Sequence, residues 1–146
     1  MARTCTYLNF TNKSEEAFLF YQSIFGGEFT GGGISRFKDI PASEGMPPMS
    51  DEVKNLVMHI ELPILGGHIL MATDAPEFMG FKLNIGDNVH LCLEPDTRKD
   101  TKSLFDALAE GGQVTMELQD TFWGAYCGKL TDQFGVQWMF NYVSKQ

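Results

Sequence analysis

Gly67-His68-Ile69-Leu70-Met71 lies over Gly135-Val136-Gln137-Trp138-Met139 without a gap, and each stretch closes one half of the chain. Working back from those ends, one plan occurs twice, about 85 residues apart. Leu8-Asn9-Phe10 leads into Ala17-Phe18-Leu19-Phe20-Tyr21 and stops at Gly26-Gly27. Leu91-Cys92-Leu93-Glu94 leads into Leu104-Phe105-Asp106-Ala107-Leu108 and stops at Gly111-Gly112. A strand, a helix and a double-glycine stop recur, and so long a period is one supersecondary unit copied once rather than a solenoid.

The elements follow outward from that repeat. Thr4 to Phe10 alternates as a half-buried strand does, with Thr6, Leu8 and Phe10 on one side. Asn12 with Glu15 three residues on offers a capping-box start to a helix, which carries Ala17, Tyr21 and Ile24 on one stripe, with Phe18 and Phe25 beside it, and ends at Gly26-Gly27. Glu28 to Phe37 reads as a strand, and its Gly31-Gly32-Gly33 signals a bulge or the close approach of another backbone. Lys38 to Asn55 is rich in Pro, Gly, Ser and acid, the composition of a lid, a binding loop or a dimer arm, and equally of a solvated hairpin connection. Leu56 to Leu62 and Gly67 to Thr73 form a hairpin pair. The second half repeats the order: strand Val89 to Glu94, helix from about Asp100 to Glu110, then strands Gln113 to Leu118, Ala125 to Leu130 and Val136 to Tyr142. The reading is an α+β domain of two βαβββ modules, about 3–75 and 88–144, with a connector over about 76–87 rich in Pro and Gly.

Composition bounds the partners. The formal charge of −8, with eleven scattered Lys and Arg, opposes binding to nucleic acid or an anionic membrane, because phosphate groups must be met by clustered cations. No apolar run reaches the ~18 residues of a membrane span, and Met1-Ala2-Arg3-Thr4 runs straight into a strand rather than a signal peptide, so a cytoplasmic location is expected. Cys5, Cys92 and Cys127 are odd in number and irregular in spacing, which suits reduced thiols. No Ser or Cys sits in a nucleophile elbow, the Gly31-Gly32-Gly33 run lacks the Lys-Ser/Thr of a phosphate loop, and there is no Cys-x-x-Cys. Arg36, near the long loop, is a candidate for an anion but stands alone at a strand end.

Each module has a helix on one sheet face only, so two such curved mixed sheets leave bare faces that line a cleft, where function is expected. Paired βαβββ modules, the helix end Phe20-Tyr21-Gln22-Ser23-Ile24-Phe25-Gly26-Gly27 and the closing Thr131-Asp132-Gln133-Phe134-Gly135-Val136-Gln137-Trp138 resemble the vicinal oxygen chelate superfamily, with its glyoxalase I, extradiol dioxygenases and bleomycin-resistance proteins. Val57-Met58-His59-Ile60-Glu61, Leu70-Met71-Ala72-Thr73-Asp74 and Leu118-Gln119-Asp120-Thr121-Phe122-Trp123-Gly124 resemble its PhnB-like branch, which also carries the label 3-demethylubiquinone-9 3-methyltransferase. No glycine-rich loop follows the first strand to hold S-adenosylmethionine, so methyl transfer finds no support in the residues.

The resemblance implies a divalent metal held by four strand positions, two per module. They fall on His90, on Cys5 (or Thr6 or Tyr7 if the alignment slips), and on Met71 and Met139 where the superfamily carries glutamates. Thioethers suit none of its hard or borderline metals, so no metal cofactor is expected. The alternative is a divalent metal on a different set, His90, His59, Glu61 and Glu94, since strand alternation puts His59 with Glu61, and His90 with Cys92 and Glu94, on common faces. In the other account those histidines are hydrogen-bonded pocket residues.

The rest of the expected cleft is soft and aromatic. Tyr7, Met71, Met139, Trp123 and Phe122 suit a flat or apolar ligand, and they equally suit plain core or dimer packing. Trp138 and Phe140 point opposite to Met139 and should pack under the second helix. The expectation is a homodimeric PhnB-like protein that binds a small, partly apolar molecule without metal, using His59, His90, Tyr7, Trp123, Met71 and Met139. A metal-dependent lyase, isomerase or dioxygenase is the alternative, and a module serving only interaction is a third reading.

Overall fold

In the computed structural model, residues 2–41, 48–75, 77 and 80–144 are described. The middle of the Lys38–Asn55 stretch and part of the 76–87 connector lie outside them. The chain divides into two compact units, residues 1–84 and 85–146. The first contains β1 (Thr6–Phe10), α1 (Ser14–Phe25), β2 (Thr30–Arg36), a short α2 (Asp51–Lys54), β3 (Val57–Pro63) and β4 (Ile69–Asp74). The second contains β5 (Leu91–Leu93), α3 (Arg98–Ala109), β6 (Gln113–Asp120), β7 (Ala125–Thr131) and β8 (Gln137–Val143). Their sheets run β1-β4-β3-β2 and β5-β8-β7-β6, each with a parallel first pair followed by antiparallel neighbours. Both units are therefore βαβββ, and their mixed sheets give the glyoxalase/bleomycin-resistance-like α+β fold.

Alternation fixes which face each helix covers. In the first unit Leu70, Ala72, Ile60 and Leu62 are fully buried beneath α1, whose own buried residues are Ser14, Ala17, Phe18 and Tyr21. In the second, Trp138 and Phe140 are fully buried on the α3 side, as expected, and Phe140 meets Phe105 edge-on at a centroid separation of 5.6 Å. Each such side chain contributes about 1.5–3 kcal/mol by leaving water. Met71 and Met139, one residue out of phase with these, stand on the face away from the helix and are only partly buried.

The helix starts differ from the sequence expectation. Asn12 sits in the left-handed region (φ 61°), Lys13 takes the cap position, and no side chain caps α1 from within. The Asp74 carboxylate, buried at the end of β4, instead accepts from Ser14 N at 3.0 Å, while its other oxygen accepts from Val57 N at 2.9 Å. A charged acceptor brought by the fold outcompetes a local amide, and Glu15 turns to Arg36 at 2.9 Å. In the second unit Thr97 caps α3 by accepting from Asp100 N at 3.0 Å, so that helix begins at Arg98 rather than Asp100.

β5 is shorter than the expected Val89–Glu94 strand, and β1 begins at Thr6 rather than Thr4. Cys5, Cys92 and Cys127 are all free thiols. Among the described residues no helix is long and apolar enough to cross a membrane.

Candidate functional site

On the uncovered face of the first sheet, one row crosses three strands: Tyr7 of β1 pairs with Met71 of β4, which pairs with Glu61 of β3. His59, two residues before Glu61 on the same face, turns its ring back. Its Nε2 lies 2.8 Å from Glu61 Oε2, and its ring centroid is 6.1 Å from that of Tyr7, tilted by 34°. Thr30 of β2 donates its hydroxyl to Glu61 Oε1 at 3.3 Å. Each carboxylate oxygen thus has a partner. The Glu61 carboxyl is held below the usual range, chiefly by the His59 hydrogen bond, which outweighs the opposing effect of desolvation.

The glycine run supports this arrangement. Gly31, Gly32 and Gly33 all have positive φ, and the β2–β3 register shifts between Thr30 and Ser35, which is the expected bulge. The close approach is to a side chain rather than a backbone: a Cβ on Gly31 would lie 2.7 Å from Glu61 Oε2. Thr30 and Gly31 therefore adjoin Glu61; the glycine run signals a close approach, but the bulge hides which residue of the other strand it meets.

The second sheet carries the matching row Cys92–Met139–Lys129. Comparing the rows aligns Tyr7 with Cys92, Met71 with Met139, and Glu61 with Lys129, so that His90 corresponds to Cys5, two residues back on each strand, as in the gap-free alignment. His59 corresponds to Cys127. His90 is half-buried just ahead of β5, and Glu94 just beyond it accepts from Asn141 Nδ2 at 2.9 Å. Desolvation first and the Glu94 charge next push the Cys92 thiol up, which leaves it a poor nucleophile.

Trp123 lies outside the second-sheet row. With Phe122 it forms the tip of the β6–β7 hairpin, the two rings edge to face at 4.9 Å and exposed by 62% and 97%. Arg36 is committed to Glu15 and to Asn55 O, at 2.9 and 2.7 Å. A groove of about 560 Å³ between α3 and Tyr126 lies on the helix side of the second sheet, and of its three lining cations Arg98 is paired with Asp120 and Lys102 with Asp106.

The donor set decides what metal chemistry the superfamily positions allow. Cys5, Met71, His90 and Met139 offer two thioethers where a hard or borderline cation needs carboxylates, so these residues do not fit the superfamily's metal. Among the described residues no three His, Cys, Asp or Glu side chains gather so as to hold a metal ion.

Comparison with known proteins agrees with this architecture. The sequence profile of the 3-demethylubiquinone-9 3-methyltransferase family matches residues 2–140. Protein YjdN of Escherichia coli K12 is 32% identical over 96% of this chain and 95% of its own length. Protein PA1353 of Pseudomonas aeruginosa superposes with a TM-score of 0.82 at 33% identity, over 99% of this chain and all of that one. The PhnB protein of Bacillus cereus does so at 0.74 and 26%, over 97% and 100%. A glyoxalase/bleomycin resistance protein/dioxygenase family enzyme of Burkholderia phytofirmans, at 0.63 and 20% over 95% and 98%, shares the fold.

Proposed function

The chain belongs to the 3-demethylubiquinone-9 3-methyltransferase family, the PhnB-like branch of the vicinal oxygen chelate fold, and from that premise we propose that it binds a small, partly apolar molecule on its uncovered sheet faces without a metal. The row Tyr7–Met71–Glu61 with His59 carries this reading, because an aromatic ring and an adaptable thioether beside a hydrogen-bonding imidazole suit a flat ligand with a few polar atoms. Met139 and His90 extend the same character to the second module, and the Trp123 tip offers a further stacking surface. Methyl transfer is not part of the proposal: the turn from β1 to α1, Thr11-Asn12-Lys13, has no glycine that would let the backbone close on S-adenosylmethionine.

We also propose a cytoplasmic homodimer, supported by the free thiols and by apolar residues that are largely exposed within the chain, such as Val89 and Phe122. Elemental analysis of protein purified without an affinity-tag metal, together with a thermal-shift screen of planar aromatic compounds, tests the reading. The expected result is no stoichiometric metal and a ligand whose stabilisation is lost in Tyr7→Ala and His59→Ala. A full equivalent of metal that disappears in His90→Ala, with activity on hemithioacetals, would establish the metal-dependent lyase instead.

A further inference from the structure

We propose that His59 is a positioned general base whose Nδ1 removes a proton from a planar, partly apolar ligand bearing an acidic C–H; this rests on the first-module face being a ligand surface. An ionised carboxylate can only accept, so the 2.8 Å contact to Glu61 Oε2 places the proton of a neutral imidazole on Nε2 and the lone pair on Nδ1. No described residue donates to Nδ1. The base, its orienting carboxylate and a hydroxyl that fixes the carboxylate make up the arrangement by which a weak base is aimed at a substrate.

A chance pair of side chains two apart on a strand needs nothing from its neighbours, whereas this one is built in. Thr30 holds the second oxygen at 3.3 Å, and the space for the carboxylate exists only because position 31 has no Cβ. The His59 and Glu61 side chains are 29% and 15% exposed, open enough to reach a ligand and sheltered enough to hold their geometry. Tyr7 supplies the neighbouring stacking surface. Besides His59, the charge felt by Glu61 is that of Arg3, which also favours the ionised carboxylate.

The step is a proton transfer and needs no oxidant or co-reactant. The ligand's C–H bond breaks, the proton bonds to His59 Nδ1, and the electron pair stays on the ligand or forms a new π bond as a leaving group departs. Glu61 balances the imidazolium until the proton is returned. His59 is thus the catalytic residue and Glu61 a positioning residue.

A generic probe, 5-nitrobenzisoxazole, tests this without the natural ligand. Its ring C–H is abstracted, the N–O bond breaks and a nitrile forms, giving a coloured cyanonitrophenolate. The wild-type chain should exceed free imidazole by roughly 100-fold per site. His59→Gln and His59→Ala should remove the excess, while Ser103→Ala, on the α3 side of the other module, should leave it unchanged. Glu61→Gln should lower the rate about tenfold, and nitrogen NMR should show its His59 losing the single tautomer protonated at Nε2. Probe binding is followed in parallel by ligand-detected NMR. Binding without His59-dependent turnover, or wild-type His59 protonated at Nδ1, would overturn the base and leave the ligand face standing; no binding at all would count against both.

Discussion

Asp74 holds Ser14 by one carboxylate oxygen, at 3.0 Å, and by the other it holds Val57, so the start of α1, the end of β4 and the start of β3 meet at a single buried side chain. Asp74→Ala leaves two backbone N–H groups without their charged acceptor in a buried setting. A loss of about 3 kcal/mol in urea unfolding is expected, since each hydrogen bond to a charged group is worth roughly 1.5–3 kcal/mol. Asp74→Asn, which keeps one accepting oxygen, should lose about half as much. A loss below about 0.5 kcal/mol in the alanine variant would show that the clamp is dispensable.

Gly31 and Gly32 both have positive φ, yet only Gly31 is crowded, by Glu61. Gly32→Ala should cost about 1 kcal/mol from backbone strain alone. Gly31→Ala should cost more and should also free His59 from Glu61, and combining it with Glu61→Ala should recover part of the difference in a double-mutant cycle. Equal costs with no coupling would place the carboxylate elsewhere.

Because the Glu61 carboxyl titrates below its ordinary range when folded, the stability it adds is complete above the unfolded value, near pH 4.3, and is lost as pH falls toward the folded one. The urea midpoint of the wild type minus that of Glu61→Gln should shrink as pH falls below about pH 4. A gap that widens as pH falls below about pH 4 reverses the sign and refutes it. Asp120, lowered by its hydrogen bond from Arg98, is common to both proteins and drops out of the difference.

Gly128 of β7 lies under α3, where an added Cβ would come 2.9 Å from both Phe105 Cε2 and Leu118 Cδ2. Gly128→Ala should destabilise by about 1–3 kcal/mol through overpacking. Phe105→Leu in the same chain should relieve part of that cost, and thermal unfolding of the pair would show whether it does.

The repeat was legible because burial writes itself into periodicity. Leu70, Ala72, Trp138 and Phe140 alternate with Met71 and Met139 in the sequence as they do in the sheets, and the glycine run announced its bulge. What periodicity does not encode is contact at long range. The Asn12 cap was a sound local inference overridden by Asp74, some sixty residues away. Thr30 and Gly31 meet Glu61 only through an irregular register. Trp123, expected on the cleft face, stands at a tight hairpin where Gly124, at φ 87°, ends the turn, and the periodicity of the flanking strands does not carry into that turn.

Glu61 and Lys129 fill the same slot in the two halves, each beside a methionine. The copies have parted in sign at a position where their strand registers still agree. A protein rebuilt from two first halves would inherit a doubled acid there, and one rebuilt from two second halves a doubled base with the Cys127 thiol in the place of the His59 imidazole. The duplication is still readable as ancestry, but it can no longer be undone by copying either half.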